Sequence, residues 1–507
     1  MPDPPAPRPS RWLIGALIFA ALYWMFDLAV LRSGVPHPLD DTWDDGLVAR
    51  ALLAGDGLRS RMIYPPLWGL RDPATQTVPL LVHGPLLPLL LALPIRVLGA
   101  SVLDHTAWLA AACALLTVLP LYRVTARHVG PAAGAAAAGL FTVSPLTLAA
   151  VHHGCSVVLG ALLLTWSLDL VARDRPRAGP AGIVAGLGYL VRPEFLFASV
   201  ILAALAAASV TGSSWAGRLR TAAVFLVGVA ICGAGWWWHH WRGVGSPVFN
   251  LTTYTMIGFT EGRPGASPMR DFALTPDQWP SVLRAAMPQL AGKWQHAYPR
   301  AIGRLLGAPS WSTGWVGAVG LVVALARRAT RRLALAAAGL TLIPVAMWTL
   351  ATREPLYLVP VLPLLAVAAA MGAEWSFRWL PSWAHRPRAW IGALVLLMLP
   401  VTAPALREAS SEARLLERWL ASERAGLPRL ERAPGAARRP VFSDTPDFVA
   451  WETGRPAIWI TREEFDALYR GAAAASRPPD LPAAPGPDDV WFHADARDPA
   501  KNLGVAR

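Results

Sequence analysis

Residues 12–46 read WLIGALIFAALYWMFDLAVLRSGVPHPLDDTWDDG, an apolar run followed at once by an acidic loop, and this stretch decides the fold. The run 12–31 has the length of about 20 residues that an α-helix needs to cross a hydrocarbon core about 30 Å thick. Comparable runs recur through the 507 residues, of which 54% are hydrophobic, and the mean hydropathy is positive. The sequence therefore predicts an all-α polytopic membrane protein.

Arginine clusters between the apolar runs predict the orientation of the chain, because short cytoplasmic loops are enriched in Lys and Arg. Most arginines lie in these clusters, so the net charge of +13 indicates membrane topology and no nucleic-acid partner. Placing each cluster inside gives about eleven transmembrane helices, with the N-terminus cytoplasmic and the C-terminus extracytoplasmic. Segment 84–99 carries three prolines, and we expect it to form a re-entrant or interfacial helix on the outer side.

The contrast between the apolar runs and a more polar C-terminal region predicts two domains. The expected transmembrane domain is 1–405, with a first outer loop at 33–80 and a long outer loop at 239–312, and the expected extracytoplasmic region is 406–507. In that last region, β-like segments at 441–444, 457–460 and 490–493 alternate with helical ones. Thr461 is followed three residues later by Glu464, the spacing of a helix capping box. We therefore expect a small C-terminal α/β region.

Four carboxylates stand within six residues of the first outer loop, at Asp40, Asp41, Asp44 and Asp45. Placing like charges so close together is costly unless a cation or a substrate lies between them. On charge alone, the simpler interpretation is a solvated acidic loop that keeps this segment out of the bilayer. Asp27 lies inside the first apolar run, and an acid within a membrane helix is a functional candidate by default.

The residues after the acidic pair carry a specific spacing. Asp40-Asp41 is followed by Ala49-Arg50, by Leu52-Leu53, and then by Gly55 and Gly57. Further short motifs are His83-Gly84-Pro85-Leu86, residues 190–194 (LVRPE), residues 242–247 (RGVGSP) with Asn250, Arg353 with Tyr357 and Pro363, and residues 444–455 (DTPDFVAWETGR). Together they resemble the GT-C superfamily of membrane glycosyltransferases in its Asp-Asp variant, and the resemblance covers nearly the whole chain. Members include protein O-mannosyltransferases, lipid A aminoarabinose transferases and mycobacterial arabinosyltransferases.

The resemblance implies a bacterial inner-membrane enzyme that takes a sugar from a polyprenyl-phosphate donor at the outer membrane face. The acceptor would be a lipid, glycan or protein of the cell envelope, and the transfer would invert the anomeric centre. By resemblance, Asp40 is the candidate general base, since a carboxylate can take the proton of the acceptor hydroxyl. Asp41 would either orient Asp40 or help it to hold a divalent cation, Mg²⁺ or Mn²⁺, and metal dependence stays open because relatives differ.

Cationic side chains are expected to meet the departing phosphate. The candidates are His83, Arg192, Arg242 and Arg353, each at a predicted outer end of a helix or in an outer loop. An arginine at a helix end can instead reach the interface without binding anything. His83 stands where many relatives have a lysine, and a histidine carries less positive charge than a lysine at neutral pH.

Two other interpretations stay open at the level of sequence. One is a non-enzymatic transporter or flippase of lipid-linked glycans, although the chain lacks the internal symmetry typical of transporters. The other is a relative that lost catalysis and kept a role in assembly, since His83 departs from the family pattern and no obvious second acidic site follows Pro145. The pair His152-His153 is interpreted as packing or interface groups.

Overall fold

The computed structural model describes residues 10–31, 40–99, 106–152, 156–173, 175–210, 214–258, 267–307, 311–327, 330–350, 355–377 and 439–470, with 103, 263, 421, 424, 427, 430, 478, 481, 485 and 489–492. The predicted last helix at 388–405 and the candidate Arg353 lie outside these residues. Within them the chain is predominantly helical.

The α-helices of the described chain are joined by connections of very different lengths. They are α1 (Arg11–Phe26), α2 (Asp40–Ala54), α3 (Leu86–Leu98), α4 (Thr106–His128), α5 (Pro131–Thr142), α6 (Pro145–His152), α7 (Ser156–Val171), α8 (Ala178–Tyr189), α9 (Phe195–Ser209), α10 (Trp215–Val244), α11 (Trp279–Gly307), α12 (Trp311–Ala326), α13 (Arg331–Leu350), α14 (Leu362–Phe377), α15 (Pro446–Thr453) and α16 (Arg462–Arg470).

Several helices have the dimensions of membrane spans. Within the described residues, four are long and apolar enough to cross a bilayer, and a fifth span is added if α5 and α6, which meet at a 52° bend, are counted as one. Together with the shorter apolar helices, this makes the chain a multi-pass membrane protein; the number of eleven crossings stays a prediction.

The first apolar run forms a helix, as predicted. Ser10 accepts a hydrogen bond from the Trp12 backbone N–H at 3.2 Å and so caps α1. Beyond Phe26 the helix widens into a π-helical turn, Asp27–Leu31. The side chains of Ile18 and Leu22 are exposed, as expected for a lipid-facing surface.

The arginine clusters predict that the apolar stretch 179–210 is a hairpin of two short helices. The structure confirms the two helices, α8 and α9, with a turn at 190–194. Helix α8 packs so closely on α10 that a Cβ at Gly182 would overlap the Phe225 carbonyl oxygen. Small residues allow such backbone approach between membrane helices.

Segment 84–99 contains α3, which is too short to cross a membrane. Its 13 residues span about 20 Å at 1.5 Å per residue. Leu87 and Leu91 are buried on one face, whereas Leu93 and Leu98 are exposed on the other. The predicted interfacial or re-entrant helix is thus present as a short helix with an apolar exposed face, and its position at the outer membrane surface stays a prediction.

The predicted long outer loop 239–312 contains an unpredicted helix. Helix α10 continues to Val244, and α11 (Trp279–Gly307) occupies much of the remainder. Pro288 and Pro299 lie inside α11, and proline is a signal against helix in a sequence. The segment between α10 and α11 holds three 3₁₀ turns, Leu251–Ile257, Ser267–Arg270 and Pro276–Gln278.

A four-stranded parallel sheet joins the two ends of the chain. Its order is β2 (Met62–Ile63), β5 (Ala457–Trp459), β4 (Val441–Ser443) and β6 (Val490–Trp491), whereas β1 (Arg59–Ser60) pairs separately with β3 (Val78–Pro79). Strands therefore occur at the three predicted C-terminal positions, and Thr461 and Glu464 form the predicted capping box, with bonds of 3.0 and 3.2 Å. Because β2 belongs to the first loop, the sheet crosses the predicted domain boundary, which stays a prediction.

The buried apolar residues form two main clusters. The bundle core is built from α1, α4–α10 and α11–α14 and consists mostly of Ala, Val and Leu. The second cluster joins residues 43–95, 249–286 and 427–481. We call these three segments the cap and the cluster the cap core.

Candidate active site

The acidic pair begins the helix that the cap encloses. Asp40 and Asp41 lie in the first turn of α2, where the helix N-terminus favours negative charge, and their side chains are outside the described part of the structure. Asp44 and Asp45 are 1% and 3% exposed, so these two carboxylates of the cluster do not lie in a solvated loop. The resemblance also implies a Gly-x-Gly turn after α2, and this turn is present, since Gly55 and Gly57 have φ of 88° and 79°, the left-handed conformation that glycine adopts readily.

Asp44 makes contacts that sequence reasoning missed. Its Oδ1 accepts a hydrogen bond from the Ser60 hydroxyl, and its Oδ2 lies 3.8 Å from His83 Nε2. Ser60 is in β1, whose partner strand β3 leads directly into the segment of His83. The structure therefore brings the predicted donor-binding His83 to the acidic helix, through an aspartate three residues beyond the predicted pair.

The segment 80–83 is fixed by the residues that follow α10. The Leu81 carbonyl accepts from the Leu251 N–H at 2.9 Å, and the Val82 carbonyl accepts from Asn250 Nδ2 at 3.2 Å. His239 Nε2 lies 3.0 Å from the Leu80 carbonyl oxygen. The motif containing Asn250 thus meets the motif containing His83.

On its other side, the same segment packs on the turn between α8 and α9. The Leu86 N–H donates to the Leu190 carbonyl at 2.9 Å. A Cβ at Gly84 would overlap this carbonyl, so only glycine fits at that position. Two of the short motifs, 83–86 and 190–194, therefore share one contact.

Arg192 is buried and engaged. Its side chain forms an ion pair with Glu194, and its guanidinium carbon lies 4.1 Å from the centroid of the Tyr357 ring. This cation–π contact brings the motif of Arg192 to the motif of Arg353 and Tyr357. Because Glu194 balances the charge of Arg192, the arginine is held in place before any anion arrives.

Arg242 lies at the C-terminal end of α10 and is exposed. Its neighbour Gly243 lies against Pro79 and Leu81, so this helix end borders the segment that leads to His83. The candidates His83, Arg192 and Arg242 thus all surround the contact between segment 80–86 and its neighbours. Arg353 is outside the described residues.

Lys293 holds the segment that leads towards Arg353, a role that the sequence did not indicate. From α11 its ammonium donates to the carbonyls of Met256 and Gly258, both at 2.9 Å, and to that of Leu350 at the end of α13. A single lysine therefore ties the region after α10 to the helix end three residues before Arg353.

Asp27 and His152 form a buried pair between α1 and α6. His152 Nε2 lies 2.7 Å from Asp27 Oδ2, and both side chains are buried. The pair supports the interpretation of Asp27 as more than a packing residue, and it shows that His152 has a carboxyl partner. The two residues are 125 positions apart, so no local pattern could have linked them.

The C-terminal motif 444–455 holds the acidic helix. Arg50 lies with its guanidinium carbon 3.1 Å from the centroid of the Trp451 ring and donates to the Trp451 carbonyl at 2.7 Å. Burial lowers the pKa of Arg50 to about 10, so the side chain still carries its charge at neutral pH. The rings of Trp43 and Phe448 meet edge to face at 5.3 Å. The C-terminal segment of the cap thus positions α2, which lies near the other end of the chain.

The described residues do not assemble a metal site. Among them no three His, Cys, Asp or Glu side chains are grouped so that they could hold a metal ion. The two oxygens of Asp44 face Ser60 and His83. The side chains of the predicted ligands Asp40 and Asp41 lie outside the described residues, so the divalent cation stays a prediction.

Comparison with known proteins places this geometry in a fold. No family model matches the chain, and no curated protein matches it. Among solved structures, it is similar to the oligosaccharyltransferase AglB of Archaeoglobus fulgidus, in complex with an inhibitory peptide and a dolichol-phosphate, at 14% identity and a TM-score of 0.58, over 88% of this chain and 64% of that one. This chain therefore matches less than two thirds of the length of the archaeal enzyme.

A second similar structure is ArnT of Cupriavidus metallidurans bound to undecaprenyl phosphate, at 13% identity and a TM-score of 0.51, over 88% of this chain and 85% of that one. A further structure of the Archaeoglobus fulgidus enzyme, with Zn and sulfate, is similar at 15% identity and a TM-score of 0.54, over 89% of this chain and 62% of that one. The chain has the fold of the GT-C membrane glycosyltransferases that use polyprenyl phosphates, as its motifs predicted.

Proposed function

We propose that this protein is a membrane glycosyltransferase that moves a sugar from a polyprenyl-phosphate-linked donor to a hydroxyl group of a cell-envelope lipid, glycan or protein. The observation that carries the proposal is the convergence of four separate motifs on one place. The acidic helix α2, the segment of His83, the turn of Arg192 and the residues after α10 all meet around Gly84. The dolichol-phosphate and undecaprenyl phosphate in the similar structures support the donor class.

In the proposed reaction, the bond from the sugar C1 to the phosphate oxygen breaks as a bond from C1 to the acceptor oxygen forms. The acceptor approaches from the side opposite the phosphate, so the anomeric centre is inverted. Asp40 takes the acceptor proton, and the polyprenyl phosphate leaves with the electron pair. Asp41, the next residue of the same helical turn, orients Asp40.

The departing phosphate needs positive charge where it leaves. His83 is a candidate that contacts the acidic helix, since its Nε2 lies 3.8 Å from Asp44 Oδ2. Arg192, Arg242 and Arg353 are the further candidates, and Arg192 is held rigidly by Glu194 and Tyr357.

The proposed location is the inner membrane of a bacterium, with the N-terminus cytoplasmic and the cap on the outer side. Support comes from the arginine clusters, such as Arg327, Arg331 and Arg332 between α12 and α13, which mark the cytoplasmic ends of helices. The candidate site lies at the opposite ends, where α8, α10 and α13 finish.

A transfer assay tests the proposal. Purified protein in lipid receives radiolabelled polyprenyl-phosphate sugars and a membrane extract that supplies acceptors. We expect label to reach an acceptor, and we expect Asp40→Asn to lower the rate at least about 100-fold, the usual contribution of a general base. Asp72→Asn is the matched control, since Asp72 lies in the same loop but outside the acidic helix and caps a local turn at Ala74.

Equal rates for Asp40→Asn and the unchanged protein would remove Asp40 from the mechanism. Absence of transfer with every donor would refute the enzyme. Movement of the lipid-linked sugar across the bilayer without transfer would instead identify a flippase.

A further inference from the structure

The strongest unassigned feature of the cap is the buried carboxylate of Asp44. A charge removed from water is stabilised only if protein groups replace the water. Asp44 is almost fully buried, and its described partners are the Ser60 hydroxyl on one oxygen and the His83 imidazole, 3.8 Å from the other. The proposed mechanism uses Asp40 and Asp41 and leaves Asp44 without a role.

Ser60 fixes the direction of this carboxylate. Its Oγ accepts a hydrogen bond from the Met62 N–H at 3.0 Å, so its own proton is available to Asp44. Ser60 is itself buried, in the short sheet of β1 and β3. The carboxylate is therefore aimed by a rigid element and not by a flexible loop.

His83 stands between this carboxylate and the surface. Its side chain is 20% exposed, so part of the ring can be reached from outside while Nε2 faces Asp44. The backbone is fixed on both sides, by Asn250 bonded to the Val82 carbonyl and by Gly84 packed on Leu190. With the backbone fixed, the remaining freedom of His83 is rotation of its side chain, and Asp44 Oδ2 lies 3.8 Å from the ring nitrogen that would move.

We propose that Asp44 is a positioning residue that holds the His83 imidazole in the orientation that receives the donor phosphate. The proposal rests on the proposed function, because His83 meets phosphate only if the protein binds a polyprenyl phosphate. Asp44 does not touch the donor; it acts through His83, and Ser60 acts through Asp44.

The test measures binding of undecaprenyl phosphate without sugar, so that it does not depend on turnover. Fluorescence titration in detergent gives Kd for the unchanged protein and for Asp44→Asn, Ser60→Ala, His83→Gln and the double variant Asp44→Asn with His83→Gln. We expect Asp44→Asn to raise Kd about tenfold, within the range of coupling between residues in contact. The same change in the His83→Gln background should have no further effect.

A merely structural Asp44 would weaken binding equally with and without His83. Asp45→Asn is the matched control, since Asp45 is the neighbouring buried carboxylate on the same helix; its effect should be the same in both backgrounds. Thermal melting of each variant identifies misfolding. If Asp44→Asn does not fold, Ser60→Ala provides a second test. Ser60→Ala should weaken binding less than Asp44→Asn, and its effect should also disappear in the His83→Gln background. The transfer assay adds a kinetic criterion, because Asp44→Asn should raise the KM for the donor more than it lowers kcat.

The outcomes separate the two proposals. If the unchanged protein binds and transfers but Asp44→Asn binds normally, or the effects of Asp44 and His83 simply add, Asp44 does not position His83 and the proposed function stands. If the unchanged protein neither binds undecaprenyl phosphate nor transfers sugar, the proposed function fails and the role of Asp44 fails with it.

Discussion

The bundle core and the cap core are built by different means. In the bundle, helices pack through Ala, Val, Leu and Gly, and the backbones come close together, as between α8 and α10. In the cap, segments from both ends of the chain meet through aromatic rings such as Trp43, Trp68 and Phe448. Lipid gives helices no hydrophobic reason to associate, so close packing has to hold them, whereas the cap can gain stability by burying large rings. The two cores should therefore tolerate different changes.

Two glycines make the difference concrete. At Gly182 in the bundle, a Cβ would overlap the backbone carbonyl of Phe225. At Gly46 in the cap, it would meet the side chains of Leu103 and Trp451. A side chain can rotate away from an added methyl group, but a helix backbone can move only with the whole helix.

The largest expected effect is that of Gly182→Ala. Separating α8 from α10 should cost about 3 kcal/mol of unfolding free energy or more, the upper end for overpacking. Gly46→Ala should cost about 1 kcal/mol, the lower end of that range, because its neighbours are side chains. Thermal melting of the purified variants in detergent measures both.

Gly179→Ala is the matched control on the same helix, since its Cβ would lie 3.7 Å from Val224, an ordinary contact. It should leave the melting temperature nearly unchanged. If Gly46→Ala destabilised the protein as much as Gly182→Ala, the contrast between a backbone-packed bundle and an adaptable cap would be wrong.

The sequence predicted the bundle better than the cap for a physical reason. Hydrophobic runs and arginine clusters report local structure, and they located α1 and the hairpin of α8 and α9, whereas a local motif located the Gly-x-Gly turn after α2. The residues of the cap meet across long separations, such as the 401 positions between Arg50 and Trp451. No local period carries that information. Helix α11 was missed because two internal prolines outweigh its helical pattern.

The same limit applied to the candidate site. Motifs in the sequence identified His83 and Arg192 as candidates, and the structure places both at one contact. Glu194 lies in the motif of Arg192 and Asp44 in the acidic cluster, yet the sequence did not show which acid faces which base. The pair of Asp27 and His152 joins the π-helical turn after α1 to the end of α6, which are far apart in sequence.

An intermediate effect is expected from Arg50→Lys, which tests whether the C-terminal motif clamps the acidic helix. A lysine cannot stack its charge flat on the Trp451 ring and donate to the carbonyl at once. The loss should be about 1–2 kcal/mol, confined to the cap. Hydrogen exchange should therefore become about tenfold faster at the amide of Ala457, which donates to the Arg61 carbonyl beside α2.

Arg71→Lys is the matched control, because Arg71 also covers a tryptophan, Trp68, at 3.8 Å from the ring centroid, but both residues belong to the first loop. It should leave exchange at Ala457 unchanged. Equal acceleration by the two variants would mean that the cap loosens as a whole and that Arg50 is no special clamp.

The smallest expected effect is that of Glu464→Gln, which separates the effect of the charge of Glu464 from the effect of its helix-capping hydrogen bond. Glu464 accepts the Thr461 N–H at 3.0 Å and pairs with Arg270 Nε at 2.8 Å. Glutamine keeps the capping bond but loses the charge, so only the half-buried ion pair is removed. The expected loss is about 0.5 kcal/mol, and it should vanish in about 1 M salt, where surface charges are screened.

Glu464→Ala removes both the capping bond and the ion pair and should cost about 1 kcal/mol more, independently of salt. Hydrogen exchange at the amide of Thr461, directly before α16, distinguishes the two variants, since only the alanine frees this N–H. If Glu464→Gln lost as much unfolding free energy as Glu464→Ala at high salt, Arg270 would need the carboxylate for its geometry and not for its charge. The link between the 3₁₀ turn Ser267–Arg270 and α16 would then belong with the rigid contacts of the bundle and not with the adaptable ones of the cap.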